Sequence, residues 1–145
     1  MWKKLTVSLM VLFICPILVH AQFNEHVEVF DIGEGKVIMD ADVTSHVQSD
    51  AERFLEHITD VYRLANPMPR DGFMVRIPLQ TAVEVKNEWL DSLVDEMIII
   101  FPEREDPYMM VYDDENRPHF FAFEGDTATF LMRLNIDLPV QGAQS

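Results

Sequence analysis

Apolar and polar residues alternate along His26-Val27-Glu28-Val29-Phe30-Asp31-Ile32, which sets Val27, Val29 and Asp31 on one face of an extended strand. Gly33-Glu34-Gly35 supplies turn residues and Lys36-Val37-Ile38-Met39 resumes the extended pattern, so a β-hairpin is expected here. The period then changes. Val47, Ala51, Phe54, Leu55, Ile58, Val61, Tyr62 and Leu64 recur at steps of three and four, opposite Asp50, Glu52, Arg53, Glu56 and Asp60. This predicts an amphipathic helix over that whole stretch. Thr44 or Ser45 caps its start, Gln48 stands where a capping box on Ser45 wants it, and Asn66-Pro67 ends it.

Pro67 to Gly72 has the chemistry of a loop. Phe73, Val75, Ile77 and Leu79 then alternate as the buried side of a strand, with Val83 and Val85 as a further short extended piece. Pro78 cannot donate to a ladder, so this strand is expected at a sheet edge or ending in a bulge. Asn87 predicts the cap of a short helix through Glu88, Trp89, Leu90, Leu93 and Val94. Met97 to Phe101 is apolar on both faces, as a central, doubly covered strand requires. Pro102 to Pro107 is a charged turn, and Tyr108–Tyr112 and His119–Phe123 are two strands joined through Asp113 to Pro118. Asp126 caps a last helix with Phe130, Leu131 and Leu134 inside, and the segment from Pro139 to Ser145 reads as a frayed tail. Helices do not alternate strictly with strands. The order therefore implies an α+β fold, a mainly antiparallel sheet of about five to six strands packed against two main helices.

Ahead of these elements, Lys3 and Lys4 precede an apolar run from Leu5 to Val19, and Val19-His20-Ala21 offers small-residue cleavage chemistry. The run is about 15 residues, short of the roughly 20 that span a bilayer, and Pro16 breaks it near its exit. Residues 1–21 thus read as a cleavable signal peptide, with 22–138 as one α+β domain and 139–145 as the tail. A secreted or periplasmic location follows. The sole cysteine, Cys15, leaves with the signal, so the mature chain has neither a disulfide nor a thiolate metal ligand. A bacterial origin suits an exported domain of this size without disulfides.

Charge narrows the partners. All 25 acidic residues but only nine of the 11 basic ones follow residue 21, leaving a formal charge of −16. Such a surface repels nucleic acid and anionic membranes, and it favours solubility or a basic partner.

Catalytic and metal chemistry have little support. Asp40-Ala41-Asp42 opens like a calcium loop, but Ser45 and Ala51 stand where that loop needs Gly and Glu. His26, His46, His57 and His119 show no short metal spacing, and no cofactor or metal is expected. No Ser lies in a Gly-x-Ser-x-Gly elbow, and Ser45, Ser49 and Ser92 all fall on predicted helices. The turn Asp113-Asp114-Glu115 reads as a solvated hairpin tip.

Two features stand out. Arg76 is a mid-strand cation between apolar neighbours, expected to pair with an internal carboxylate or to grip an anion. The last hairpin is dense in aromatics, with Tyr108, Met110 and Tyr112 sharing one face of its first strand and His119, Phe121 and Phe123 one face of its second. Arg76, Tyr108, Tyr112, His119 and Phe121 are therefore the candidate binding residues. The leading expectation is a non-enzymatic protein-binding domain of inhibitor or immunity type, whose acidity steers it to a basic protein. An apolar-ligand-binding domain is the alternative, and an exported hydrolase comes third.

Overall fold

A computed structural model describes residues 26–64 and 66–139. The expected signal peptide lies outside these residues, as does the expected tail beyond Pro139. The fold is α+β, with one antiparallel sheet of seven strands and two helices. The elements are β1 (His26–Asp31), β2 (Lys36–Asp42), α1 (Ser45–Glu56), β3 (Ile58–Val61), β4 (Gly72–Lys86), β5 (Asp91–Pro102), β6 (Tyr108–Tyr112), β7 (Pro118–Phe123) and α2 (Thr127–Arg133). The sheet order is β2-β1-β4-β5-β6-β7-β3.

The strand count exceeds expectation because the first helix is shorter than its periodicity suggests. It stops at Glu56, where the N–H of His57 closes on the carbonyls of Arg53 and Phe54. Ile58, Asp60 and Val61 then pair with Phe123, Ala122 and Phe121 of β7 as β3. A run so rich in β-branched residues fits a pleated strand better than a helix interior. Ile58 and Val61 keep a helical spacing of three, but a register irregularity between Ile58 and Asp60 lets a strand set both against the core, and the waiting edge of β7 decides.

The predicted helix over 88–94 is also corrected. The side-chain oxygen of Asn87 accepts the N–H groups of Trp89 and Leu90, each at 2.9 Å, while the N–H of Asn87 donates to the carbonyl of Leu90. Capping chemistry here closes a hairpin turn. Strand β5 begins at Asp91, and Ser92 lies on it, buried, accepting the N–H of Asp114 at 2.9 Å.

Pro78 does lie beside a register irregularity in β4, between Pro78 and Val83, but β4 is an interior strand flanked by β1 and β5. Gln48 braces the irregular stretch: its Nε2 donates to the carbonyl of Thr81 and its Oε1 accepts the N–H of Gln80. The capping box is therefore not formed. Thr44 caps α1 alone, through the N–H of Val47. Asp126 caps α2 as expected, accepting the N–H and hydroxyl of Thr129.

One face of the sheet holds the main core. Val75, Ile77, Met97, Ile99, Met109, Val111 and Phe121 point there and meet Val47, Ala51, Phe54 and Leu55 of α1 and Phe130 and Leu131 of α2. Phe54 packs edge-on against Phe130 at 5.6 Å and tilted against Phe123 at 5.2 Å. Asp50 departs from the expected solvent-facing side of α1. It is 3 % exposed and accepts both contacts of Arg133 Nη1, at 2.8 and 2.6 Å, as well as Arg53 Nη2. The first residue of β4, by contrast, governs the far end of the sheet. Gly72 has φ +121°, and a Cβ there would lie 2.2 Å from the carbonyl oxygen of Phe101, so the close approach of β4 and β5 requires glycine.

Candidate binding surface

Because side chains alternate, the sheet has a second face, and among the described residues no helix covers it. In register across β4, β5, β6 and β7 stand Arg76, Ile98, Met110 and Phe120. Met74, Ile100 and Tyr108 form the neighbouring row, which Phe30 of β1 extends opposite Met74. Part of this face is closed by the chain that leaves β3. Tyr62 stacks on Tyr108 with ring centroids 3.8 Å apart and planes within 11°, and its N–H donates to the carbonyl of Phe120 at 2.8 Å. The hydroxyl of Tyr108 donates to the carbonyl of Pro67, and that of Tyr62 to Glu105 at 2.6 Å. Burial pushes the Tyr108 phenol up to about 12, and burial together with Glu105 raises that of Tyr62, so both remain donors at neutral pH.

The rest of the face stays half-open. Phe30, Met74, Ile98, Tyr112 and Phe120 are all partly exposed, and Val37 of β2, opposite Phe30, is 51 % exposed. An antiparallel sheet with one face in water ordinarily carries polar residues there. A contiguous apolar band here makes this face the candidate contact surface.

Charges rim this band. Arg76 holds Glu96 at 2.6 Å and Glu28 at 3.3 Å, so the internal pairing expected of this residue is formed. Two carboxylates on one guanidinium leave a net negative group. Asp40 and Asp42 lie across from Glu28 and His26 on the edge hairpin and add to it, with Asp42 3.3 Å from His26.

The five residues singled out in the sequence do not share a surface. Arg76 and Tyr112 lie on the open face. Tyr108 also points there but is 2 % exposed beneath Tyr62. Phe121 and His119 project to the opposite face, where Phe121 is 1 % exposed under the helices. The two aromatic rows of the hairpin were each legible from alternation. Which row faces which required the register, in which Met110 pairs with Phe120 and Met109 with Phe121. Met74, Ile98 and Phe120 were missed as surface residues, although a strand apolar on both sides was the available signal.

His119 has a different task. Its Nε2 lies 2.8 Å from Oδ2 of Asp113, and its ring stacks parallel to Phe121. Asp113 also accepts the backbone N–H groups of Glu115 and Arg117 and the Nε of Arg117. His119 above all, then Arg117 and the turn amides, hold the Asp113 carboxyl far below the usual carboxylate range. A depressed pKa adds stability that is complete above the unfolded-state value, about pH 4, and is lost as pH falls toward the folded-state value. Asp113→Asn is thus expected to melt earlier than wild type at pH 7, and to lose less further stability between pH 4 and pH 2. Melting curves across that range check it, and parallel pH profiles for the two proteins would refute the assignment.

Among the described residues, no three His, Cys, Asp or Glu side chains gather as a metal site. No helix among them is long and apolar enough to cross a membrane. Compared with protein-family models, with curated proteins and with solved structures, the chain matches none.

Proposed function

We propose that this chain is an exported, non-enzymatic binding domain that docks a basic protein onto its open sheet face. The observation that carries the reading is the apolar band of Phe30, Met74, Ile98, Tyr112 and Phe120, which no helix among the described residues covers, lying against the acidic rim of Glu28, Asp40, Asp42 and Glu96. An apolar centre with an anionic border is the complement of a basic surface carrying exposed apolar side chains. The border speeds encounter and the centre slows release. The formal charge of −14 over the whole chain acts in the same direction.

The test uses tagged protein as bait for extracts of the periplasm and medium of the producing organism. Ile98→Lys places a cation in the centre of the band. Met132→Lys makes the same charge change on α2, at a position 67 % exposed and away from the band. Wild type and Met132→Lys should retain one basic protein at equal stoichiometry, and Ile98→Lys should lose it while melting within a few degrees of the control. Retention by both variants would overturn the reading. So would a wild-type protein that returns only an apolar small molecule in native mass spectrometry, which would favour the ligand-binding alternative.

A further inference from the structure

The geometry points to a second binding site, independent of the open face: a cleft between α1 and α2 that takes a small carboxylate with an apolar body. The cleft has a volume of about 340 Å³ and opens over Asp50, Arg53 and Phe54 of α1 and Phe130 and Arg133 of α2. Two walls of different chemistry meet in it.

The polar wall is a pair of guanidiniums. Asp50 is buried and spends both oxygens on them: Arg133 Nη1 contacts Oδ1 and Oδ2, and Arg53 Nη2 contacts Oδ1. Two cations on one carboxylate leave this end of the cleft positive, while Glu124 and Asp126 line its other end and Asp126 also feels the charge of Arg133. Each guanidinium carries five donors in a rigid fork, and only one nitrogen of each is turned to Asp50. The remaining N–H groups belong to side chains that are 60 % and 46 % exposed and line the cleft. The buried Asp50 fixes both forks before any ligand arrives, which lowers the ordering cost of binding. A chain with so few cations has placed two of them, 80 positions apart in sequence, on one carboxylate.

The apolar wall is aromatic. Phe54 and Phe130 meet edge-to-face at 5.6 Å, and Gly125 lies so close that a Cβ there would stand 2.3 Å from the Phe54 ring. Glycine at this point lets the chain between β7 and α2 approach the ring without filling the cleft. The two acidic residues at the rim do not cancel the cations equally. Asp126 is committed to the Thr129 cap, which is the chief reason its carboxyl sits below the ordinary range, and Glu124 stands at the exposed edge. A carboxylate accepted by the two forks, with its apolar body against Phe54 and Phe130, uses both walls of the cleft and keeps its charge at the end away from Glu124.

Amide chemical shifts of the ¹⁵N-labelled protein, followed during titration with 3-phenylpropionate, test this. Saturable shifts at Gly125, Thr129 and His57 are expected at millimolar probe, with none from 3-phenylpropanamide, which lacks the charge. L-Phenylalanine should shift the same amides, and tighter binding than the propionate would place its ammonium by Glu124. Arg53→Gln keeps the Asp50–Arg133 pair and should weaken the propionate about tenfold, the size of one charge-assisted hydrogen bond. Arginines that serve only to staple the helices would show no saturable shift, equal response to acid and amide, or unchanged affinity in folded Arg53→Gln. Any of these results overturns the site. Loss of the docking partner in the Ile98→Lys experiment has no bearing on this titration.

Discussion

Phe121→Ala is expected to cost about 3–5 kcal/mol, whereas the same truncation one residue earlier, at Phe120, costs about 1 kcal/mol. Phe121 is 1 % exposed and stands opposite Met109 in the layer between sheet and helices, where no neighbour can swing in to fill the space of a lost ring. Phe120 points to the open face and is only partly buried there, so the space it leaves is open to solvent on one side. For a chain of this size the first change lowers the melting temperature by about 10–15 °C, and the second by only a few degrees. Thermal denaturation of the two single variants decides it. Equal losses would mean that both faces of β7 are covered alike, and the proposed docking face would fall with that result.

The second large effect is at Asp50. Asp50→Ala is expected to destabilise the protein by about 3 kcal/mol, at the low end of the range for breaking a buried ion pair, because the two arginines it abandons can reach water. The pairing also spans α1 and α2, so its loss loosens the packing of α2 as well as a side chain. A double-mutant cycle with Arg133→Ala should show coupling of about 1–3 kcal/mol, since the second truncation removes a partner already lost. Urea denaturation of the four proteins supplies the cycle. Additive losses would show that Asp50 and Arg133 do not act as a pair, and the preorganisation of the carboxylate site would lose its basis.

These two positions also show how far the sequence could be followed. Alternation sets Phe121 on one face of its strand and Tyr108 on one face of the partner strand, and both count as candidate binding residues, because alternation has no sign. A period of two separates two faces without saying which one the helices will choose. The choice is made by the pairing of Met109 with Phe121, a contact between strands whose register depends on the turn held by Asp113. Asp50 was assigned to solvent because the residues around it in α1 are charged. Its burial comes from Arg133, 83 residues away, and no local pattern carries that information.

The two corrected helices fail for the same physical reason in opposite directions. In Ile58-Thr59-Asp60-Val61 a helical spacing was continued through residues whose branching favours a strand, and the edge of β7 captured them. At Asn87 a helix cap was expected where the same side-chain oxygen closes a tight turn. Caps and turns use one chemistry, and only the strand that follows distinguishes them.

By itself, the sequence determined the α+β class, the first hairpin, the start and inner face of α1, the cap of α2, the last hairpin and the acidic balance, because each depends on composition or on residues within a few positions of one another. Tertiary structure alone decided the seventh strand, the order of the sheet, which face lies open and the convergence of Arg53 and Arg133 on Asp50. Those follow from which distant groups compete for the same edge, layer or buried charge, and that competition has no local signature.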